Sequence, residues 1–439
     1  MKIFHILNHF LPHQTAGTEV YTWALCKKLQ QKGIDVEIII PNYGHKDSAS
    51  YKYDELHIFQ YAEPSIVDRT LILGFRKPVG LKNFEEYIKL KSPDIVHFHE
   101  LAGSNGITLH HIIAAKNTGA KIIMTFHLAN NTCITGKLLY KEHILCDGLI
   151  NLQKCSKCYL HGKGNSILNS ILLPVSSSLN QLRIDSTSWN NKVGTALGTV
   201  QIIERLKNNF ELLIQHCDKV IAIADWYKKI LMLNGVPEEK INYIPQGLAY
   251  DENISIPPSN KKIGPLKLLF LGRISPFKGL HLLLDAIINL PNDKVELDIY
   301  GQSIMDNYEN EWRIKTATFA NIHWKGKLEQ NQVVNTMQQY DLLCVCSTFS
   351  EMSPLIIQEA FAAGLPVIAS EVYGNAEQIK HNINGLLFRF KEVDSLKEQL
   401  LRCMNDYKLI TRLKSNISRP RNFSEVSEQY FQLYQNLLS

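Results

Sequence analysis

Short, continuous runs of apolar residues recur along the chain, and most of them are followed by a stretch with helical periodicity. The apolar runs are Lys2–Leu7, Val36–Ile40, Ile95–Phe98, Lys121–Phe126, Val220–Ile223, Leu268–Leu271, Val295–Tyr300, Leu342–Cys346 and Pro366–Ala369. The helical stretches include Thr18–Gln31, Asp225–Asn234, Gly279–Leu290, Leu328–Gln339 and Pro354–Ala363. Apolar runs without polar alternation are typical of strands that are covered on both faces. The pattern predicts an α/β fold of βαβ units, whose ligands bind at the carboxyl ends of parallel strands.

The same pattern predicts two domains in a chain of 439 residues. Periodicity weakens over Ala249–Pro265, a stretch rich in Asn, Ser, Pro, Lys and Gly, which favours a linker there. The first domain is therefore placed at residues 1–247 and the second at 262–420. A second irregular region, at about 130–208, is interpreted as an insertion over the first sheet.

Composition and charge exclude several classes of protein. Hydrophobic residues make up 45% of the chain and charged residues 20%, which is the balance of an ordinary globular protein. A formal net charge of +5 is too small for a protein that binds nucleic acid through its charge, although it suits anionic small molecules or an acidic membrane surface. No apolar run of membrane-spanning length occurs, and the N-terminal residues are interpreted as a first strand instead of a signal peptide. An odd number of cysteines, nine, favours a reducing compartment. We therefore expect a cytoplasmic protein, with peripheral contact to the inner face of the membrane as an option.

The strongest local motif, residues 350–360, follows the apolar run that ends at Cys346. Ser353 suits a helix N-cap and Pro354 the first helical position, so a helix is predicted to begin there. Its free first-turn amides at Leu355 and Ile356 would form an anion site. Glu359 lies within an otherwise apolar helix, which is costly unless its carboxylate meets a polar partner such as a diol. From spacing alone, simple exposure at the solvent edge explains Glu359 equally well.

A second motif lies between another strand and helix and contains Gly272, Arg273, Lys278 and Gly279. Two cations at the carboxyl end of a strand, with glycines that let the backbone approach closely, suit a diphosphate. The chain has no Asp-x-Asp pair, the usual anchor for a divalent cation that holds a nucleotide sugar. We therefore expect these cations and the helix amides to meet the charge of a departing diphosphate without a metal cofactor. The alternative is a solvated surface pair.

The first half offers weaker signals. The first strand leads to a turn with a single glycine, Gly17, and the chain contains no G-x-G-x-x-G motif, so a nicotinamide dehydrogenase loses its main support. His127 ends the strand Lys121–Phe126, where its imidazole could face a bound sugar or phosphate. A lone histidine is more often structural.

Four cysteines of the insertion form a candidate zinc site. Cys133, Cys146, Cys155 and Cys158 fall close together, and the two-residue gap between the last pair lets neighbouring thiolates chelate one tetrahedral ion. A structural zinc would help to order an insertion that has few apolar residues. Reduced, unliganded thiols or a redox pair at Cys155 and Cys158 remain alternatives.

Together these motifs closely resemble the retaining nucleotide-sugar glycosyltransferases of the GT-B fold, specifically glycosyltransferase family four (glycosyl transferases group 1). The resemblance covers most of residues 215–390. It rests on Gly272-Arg273 with Lys278, on Glu351 and Glu359 with seven residues between them, on Glu-Ala-Phe-Ala-Ala-Gly-Leu-Pro-Val-Ile-Ala, and on Gly374, Glu377 and Asn384-Gly385-Leu386-Leu387-Phe388. One departure is Tyr373, where many members have a second glycine.

The resemblance implies two Rossmann-like domains that face each other across a cleft, with the acceptor on the first and the nucleotide sugar on the second. It implies a C-terminal helix, at 421–439, that packs back on the first domain. It assigns the diphosphate to Arg273 and Lys278, and the ribose hydroxyls to Glu359. The implied contacts to the transferred sugar and its phosphate are Gly17, His127, Gly272, Glu351, Met352, Ser353, Pro354 and Leu355. Of these residues, His127, Arg273, Lys278 and Glu351 are the expected catalytic groups.

The implied activity is retaining transfer of a hexose from a nucleotide-diphosphate sugar to an acceptor hydroxyl, in polysaccharide or glycolipid assembly. The acceptor would be a glycan or a lipid-linked oligosaccharide, and no cofactor is expected for catalysis. A GT-B nucleotide-sugar epimerase, a sugar phosphorylase and an inactive scaffold of a glycan-assembly complex are the alternatives.

Overall fold

The computed structural model describes residues 1–64, 71, 76–101, 106–163, 166–189, 191–249, 264–303 and 306–439. Its contacts divide the chain into two compact units, Met1–Ala249 with Phe423–Ser439, and Tyr250–Asn422. The domain limits expected from the sequence, 1–247 and 262–420, fall inside these units. The predicted linker, Ala249–Pro265, lies almost entirely outside the described residues. Within the described part of the chain, no helix combines the length and the hydrophobicity that crossing a bilayer requires.

The first unit is built on an eight-stranded sheet of order β10-β9-β6-β5-β1-β2-β4-β3. All neighbouring strands pair in parallel except β3, which runs antiparallel to β4. A two-stranded hairpin, β7 with β8, lies outside this sheet. The strands are β1 (Lys2–Ile6), β2 (Asp35–Tyr43), β3 (Ala49–Tyr53), β4 (Leu56–Glu63), β5 (Ile95–Phe98), β6 (Lys121–Phe126), β7 (Leu139–Tyr140), β8 (Ile144–Leu145), β9 (Lys219–Ala222) and β10 (Ile241–Tyr243).

The helices of the first unit include four in the region that was predicted to be an irregular insertion, α4 to α7. The expectation of irregular structure was wrong, because the region is largely helical. Helix α7 buries an apolar face that includes Phe210 and Leu213, and α4 and α5 both pack on it. That the region is an insertion stays a prediction. The helices are α1 (Gly17–Gln31), α2 (Leu81–Lys91), α3 (Leu109–Asn117), α4 (Leu152–Leu160), α5 (Ser166–Gln181), α6 (Lys192–Leu197), α7 (Thr199–His216) and α8 (Asp225–Leu233).

The second unit is built on a six-stranded, all-parallel sheet of order β13-β12-β11-β14-β15-β16. Its strands are β11 (Leu266–Leu271), β12 (Val295–Tyr300), β13 (Ile322–Gly326), β14 (Leu342–Val345), β15 (Val367–Ser370) and β16 (Gly385–Phe388). Its helices are α9 (Leu280–Ile287), α10 (Asp306–Thr316), α11 (Val333–Met337), α12 (Leu355–Ala362), α13 (Tyr373–Gln378), α14 (Val393–Asn405) and α15 (Tyr407–Ser415).

The cores of the second unit explain its continuous apolar strands. In β14, Leu342 and Cys344 join the core on one face of the sheet, whereas Leu343 and Val345 join a separate core on the other face. Every position of such a strand is therefore buried, which removes the polar alternation of a half-exposed strand. The parallel, doubly covered sheet confirms the interpretation of the apolar runs.

The last helix, α16 (Phe423–Leu438), belongs to the first unit although it follows the second in the chain. Tyr430 and Tyr434 are fully buried. Tyr430 OH lies 2.8 Å from Tyr21 OH on α1, and Tyr434 OH lies 2.7 Å from His97 Nδ1 on β5. The first unit is therefore formed by two separate segments of the chain.

Candidate functional site

The two motifs of the second half meet at the point where the strand order of its sheet reverses. Strand β11 lies between β12 and β14, and the chain leaves β11 and β14 on adjacent loops. The loop after β11 carries Gly272 to Gly279, and the loop after β14 carries Ser347 to Pro354. In open parallel sheets this reversal leaves a crevice at the carboxyl ends of the strands, which is where ligands bind.

Two glycines allow the loop after β11 to take its path. Gly279 has a φ of +68°, and a Cβ at this position would lie 1.8 Å from the carbonyl oxygen of Cys346, at the end of β14. Any side chain there would push the two loops apart. Gly272 differs, because a Cβ would meet nothing within 4 Å. Its surroundings are open, as a site for the close approach of a ligand requires.

Lys278 and Glu351 form the central ion pair of the site. Lys278 Nζ lies 2.5 Å from Glu351 Oε1, and Ser347 Oγ donates a hydrogen bond of 2.7 Å to the same oxygen. Glu351 is only 8% exposed. The loops are joined further by Thr348, whose Oγ1 donates to the carbonyl of Pro276 at 2.9 Å. The carboxylate is therefore held in place by groups from both loops.

Arg273 is the second cation of this loop, and its situation is different. Its side chain is exposed, and no described residue forms an ion pair or a hydrogen bond with it. A guanidinium without a carboxylate partner keeps its full charge and its donors for an anionic ligand. The site therefore combines one cation that is neutralised by a neighbour with one that is not.

Helix α12 begins one residue later than the sequence predicts. Pro354, expected at the first helical position, has an extended ψ of 120° and flanks the helix, and Leu355 is its first residue. Ser353 accordingly lies one position before the N-cap, which corrects its predicted capping role. The first-turn amides of Leu355 and Ile356 still lack partners within the helix, since the first four N–H groups of any helix do.

Glu359 lies on α12 in a half-buried position. Burial raises the pKa of its carboxyl group to about 7, and a hydrogen bond from Gln330 counteracts this rise. Gln330 Nε2 donates to Glu359 Oε1 at 2.7 Å. The carboxyl group is thus available in both protonation states near neutral pH, with one oxygen engaged by an exposed amide that a ligand could displace.

Four further residues support the loop that carries Glu351, and the sequence interpretation missed three of them. A Cβ on Gly374 would lie 2.2 Å from the carbonyl oxygen of Glu351, so α13 abuts the loop that carries this glutamate. Ser370 Oγ donates to the carbonyl of Ser347 at 2.7 Å, and the buried Asn375 donates to Ser370. Gly374 belongs to a motif that the resemblance included, whereas nothing in the sequence pattern marks Ser347, Ser370 or Asn375.

The first unit carries the remaining expected site residues, Gly17 and His127. Gly17 is the first residue of α1, and Ala16 is its N-cap. Two positions further, the buried Glu19 accepts a hydrogen bond of 2.6 Å from Gln14 Nε2, and burial raises its pKa. The sequence interpretation missed Glu19. Its only signal in the sequence is an acidic residue in the first turn of a predicted helix.

His127 follows β6 and is 8% exposed. Its Nε2 lies 3.1 Å from Nδ1 of His99, which follows β5. Burial lowers the pKa of His127 to about 3. The imidazole of His127 is therefore neutral near neutral pH.

The four cysteines of the candidate zinc site line one cavity. Cys133 follows a short 3₁₀ turn and Cys146 follows β8, while Cys155 and Cys158 lie on α4. Backbone amides donate to two of the sulfurs, that of Lys141 to Cys158 at 3.3 Å and that of Asn151 to Cys155 at 3.4 Å. Burial and the neighbouring Cys133 and Cys146 raise the pKa of both helical thiols.

These sulfurs are not drawn together as they would be around an ion. Among described residues, two clusters have three possible ligand atoms within 4.8 Å of one another, and neither contains a cysteine. The donor set fits zinc, and the spacing of the sulfurs requires closure around the ion. Zinc binding stays a prediction.

Comparisons with known proteins agree with both halves of the chain. Residues 251–419 match the family model of the glycosyl transferases group 1, and residues 15–146 match that of Glycosyltransferase Family 4. The amylovoran biosynthesis glycosyltransferase AmsK of Erwinia amylovora is 26% identical over 219 residues, which cover 48% of this chain and 53% of AmsK. The UDP-Gal:alpha-D-GlcNAc-diphosphoundecaprenol alpha-1,3-galactosyltransferase of Escherichia coli is 28% identical over 208 residues, 43% of this chain and 49% of that enzyme. The chain spans about half the length of the curated relatives it matches, 46% for YtcC of Bacillus subtilis.

Solved structures extend the likeness of fold to the whole chain. HepE of Anabaena, in complex with UDP and glucose, aligns with a TM-score of 0.62 at 14% identity over 99% of both chains. Sucrose-phosphate synthase of Thermosynechococcus elongatus aligns with a TM-score of 0.65 at 15% identity, over 99% of this chain and 98% of that one. The two family matches, the parallel sheets of both units and these neighbours agree: the chain belongs to glycosyltransferase family 4, the glycosyl transferases group 1, and has the GT-B fold.

Proposed function

We propose that the protein transfers a hexose from a nucleotide-diphosphate sugar to a hydroxyl group of a glycan or lipid-linked acceptor, with retention of anomeric configuration. One observation carries this proposal. At the strand-order reversal of the second sheet, the loops that follow β11 and β14 carry Arg273, which pairs with no described residue, the Lys278–Glu351 pair and the start of α12. Positive charge and free amides are what a sugar diphosphate needs.

Different residues would bind the diphosphate, the ribose and the sugar of the donor. Arg273, Lys278 and the amides of Leu355 and Ile356 would hold the diphosphate, and the open surroundings of Gly272 would let it approach the backbone. Glu359 would accept hydrogen bonds from the ribose hydroxyls once Gln330 is displaced. The loop Met352–Pro354 lies next to Glu351 and would line the sugar.

The same groups account for rate acceleration. When the bond between the anomeric carbon and the phosphate oxygen breaks, negative charge develops on the diphosphate. Fixed cations and amides stabilise that charge more in the transition state than in the bound donor. Lys278 is well placed for this, since it already bridges the phosphate-binding loop and the loop of Glu351.

Retention fits the way Glu351 is held. Its Oε1 is bonded to both Lys278 and Ser347, so this carboxylate orients its neighbours and is poorly suited to attack as a nucleophile. In the front-side alternative, the acceptor oxygen bonds to the anomeric carbon on the face that the phosphate leaves. The acceptor proton passes to the departing phosphate oxygen, so that no protein nucleophile is needed. Positioning then supplies much of the catalysis.

The acceptor and the pathway are proposed from the relatives. AmsK is named for amylovoran biosynthesis, and the E. coli relative for transfer to a sugar on diphosphoundecaprenol. These names favour a lipid-linked or polysaccharide acceptor. HepE was crystallised with UDP-glucose, which makes uridine-linked hexoses the first donors to test.

A donor panel tests the proposal. Purified protein is incubated with UDP-glucose or UDP-galactose and lipid-linked oligosaccharides, and the released UDP and the anomeric configuration of the product are measured by NMR. An α-linked product with equimolar UDP is expected, and the Arg273→Ala variant should form little of it. An inverted product would contradict retention.

The alternatives give different results in the same experiment. An epimerase would convert one UDP-sugar into another without an acceptor, and a sugar phosphorylase would require inorganic phosphate. An inactive scaffold would not be stabilised thermally by UDP, GDP or ADP, whereas a transferase would be, because ligands that bind the folded state stabilise it.

A further inference from the structure

Histidines from three neighbouring strands of the first unit come together in its core. His5 lies on β1, His99 follows β5 and His127 follows β6, and these strands are adjacent in the sheet. His5 and His99 are fully buried. His97, on β5, stacks on His99 with a ring-centroid distance of 4.2 Å. A cluster of this size in a core needs a reason beyond packing.

The distances identify hydrogen bonds and argue against a metal. Nδ1 of His5 lies 2.9 Å from Nε2 of His99. Two nitrogens bound to one tetrahedral zinc would lie about 3.3 Å apart, because each zinc–nitrogen bond is about 2.0–2.1 Å. Both nitrogens of His99 are engaged, one by His5 and one by His127, and those of His97 by Tyr434 and Thr125. His5, His97 and His99 have ligand atoms within 4.8 Å of one another, but hydrogen bonds to described residues engage both nitrogens of His97 and of His99, which leaves only Nε2 of His5 for an ion.

The chain His5–His99–His127 has only two possible proton arrangements. Burial lowers the pKa of all three imidazoles far below neutrality, so each carries a single N–H. In the first arrangement, His5 Nδ1–H donates to His99 Nε2, and His99 Nδ1–H donates to His127 Nε2. In the second, both bonds are reversed. The three tautomers are therefore fixed together.

His5, at the buried end of the three hydrogen-bonded histidines, decides between the two proton arrangements. Nε2 of His5 is buried and bonds none of the residues that the structure describes. The second arrangement would place an N–H there without an acceptor, whereas the first leaves only a lone pair. Buried N–H groups without acceptors are rarer than unpaired acceptors, since their desolvation is not compensated.

We propose that His5 and His99 are positioning residues that hold His127 in the tautomer with its proton on Nδ1. His127 then presents a neutral hydrogen-bond donor to its ligand. Its Nδ1 bonds no described residue, so the N–H is available. That this ligand is a sugar substrate rests on the proposed function, whereas the tautomer itself does not.

NMR of the protein labelled with ¹⁵N-histidine tests the tautomer directly. The signals of His127 are assigned by their absence from the His127→Gln variant. We expect the Nδ1 of His127 to carry the proton, the reverse of the tautomer that free histidine prefers. A proton on Nε2 of His127 in the unmutated protein would overturn the proposal, whether or not the protein transfers sugars.

Two substitutions of His99 separate positioning from packing. His99→Asn keeps an N–H donor near the place of Nδ1, and His99→Leu removes it. We expect kcat for sugar transfer to fall roughly tenfold in His99→Leu, as expected for one lost neutral hydrogen bond, and to be largely preserved in His99→Asn. The KM for the acceptor should not change in either variant.

A control histidine outside the chain completes the test. His111 is also fully buried and lies 3.1 Å from Tyr61 OH, so His111→Asn should alter stability and leave the His127 tautomer intact. Equal losses of kcat in His99→Asn and His99→Leu would count against a positioning role.

Discussion

At the candidate site of the second unit, Glu359 changes charge near neutral pH. Its pKa of about 7 means that the carboxylate, which would accept hydrogen bonds from the ribose hydroxyls of the proposed donor, gives way to the carboxylic acid as pH falls. We expect the Kd for UDP to rise as pH decreases through about 7. In Glu359→Gln, UDP should bind more weakly than to the native protein above pH 7 and with little pH dependence. Calorimetry across this range measures both effects.

The free energy of unfolding should increase as pH falls, whereas the affinity for UDP should decrease. A carboxyl group whose pKa is raised on folding stabilises the fold when protonated, so this contribution is lost as pH rises from about 4.5 to 7. Without ligand, Glu359→Gln should therefore be more stable than the native protein at pH 8, by about 1–2 kcal/mol. The exposed Glu398→Gln serves as control. A binding profile that remains pH-dependent in Glu359→Gln would assign the titration to another group.

Arg273 and Lys278 carry the same charge but should respond differently to removal. Arg273 is exposed and bonds no described residue, so Arg273→Ala should leave the free energy of unfolding within about 0.5 kcal/mol of the native value. Its kcat should fall roughly 100-fold, since a donor to the developing charge is lost. Arg412→Ala, an exposed arginine on α15, should change neither quantity.

Lys278→Ala should lower both stability and kcat. It leaves Glu351, which is 8% exposed, without its cation, at a cost of about 1–3 kcal/mol. The double variant Lys278→Met/Glu351→Gln should recover stability and remain inactive. Urea unfolding and steady-state kinetics distinguish the two effects, and a double variant as unstable as the single one would show that the ion pair is not the cause.

At the scale of elements, the sequence predicted nine of the sixteen described strands and the positions of the motifs, and it failed at what depends on neighbouring strands. Continuous apolar runs identified β11 and β14 because both faces of these strands are buried. The Lys278–Glu351 bond joins residues 73 positions apart and arises because β11 and β14 pair in parallel, which no local pattern encodes. The start of α12 differed by one residue because proline fits both an extended flanking position and a first helical turn.

The cavity lined by the four cysteines leads to a prediction about metal content. We expect about one zinc per chain in freshly purified protein, because four thiols line a single cavity beside the hairpin β7–β8 and α4. Removing the metal should raise protease sensitivity around residues 130–165. Since catalysis would not use this ion, brief treatment with EDTA should leave sugar transfer intact.

Variants locate the metal. Cys155→Ser with Cys158→Ser should abolish zinc binding, whereas Cys217→Ala, a buried cysteine outside the cavity, should retain it. Far less than one zinc per chain, with four titratable thiols in residues 130–165, would exclude the site. Loss of sugar transfer with EDTA that magnesium or manganese restores would instead show that catalysis needs a metal.

At the scale of the whole molecule, helix α16 should be indispensable to the first unit. Its Tyr430 and Tyr434 are fully buried and bond to α1 and β5, so deletion of residues 423–439 should prevent cooperative folding of that unit. The milder Tyr434→Phe removes only the hydroxyl bonded to His97, and should cost about 1 kcal/mol in urea unfolding. Tyr53→Phe is the control, because the hydroxyl of Tyr53 bonds no described residue. A native unfolding midpoint in the deletion variant would refute the role of α16.

The position of α16 also orders events during synthesis. The first 249 residues leave the ribosome without the helix that completes their unit, and residues 250–422 must be translated before it arrives. At 5–20 residues per second this takes about 9–35 s. During that interval the surface that will bury Tyr430 and Tyr434 is exposed on a nascent chain, while the second unit can already fold. The unit of the protein that is made first is therefore completed last, and its early surface is where we expect chaperones to act.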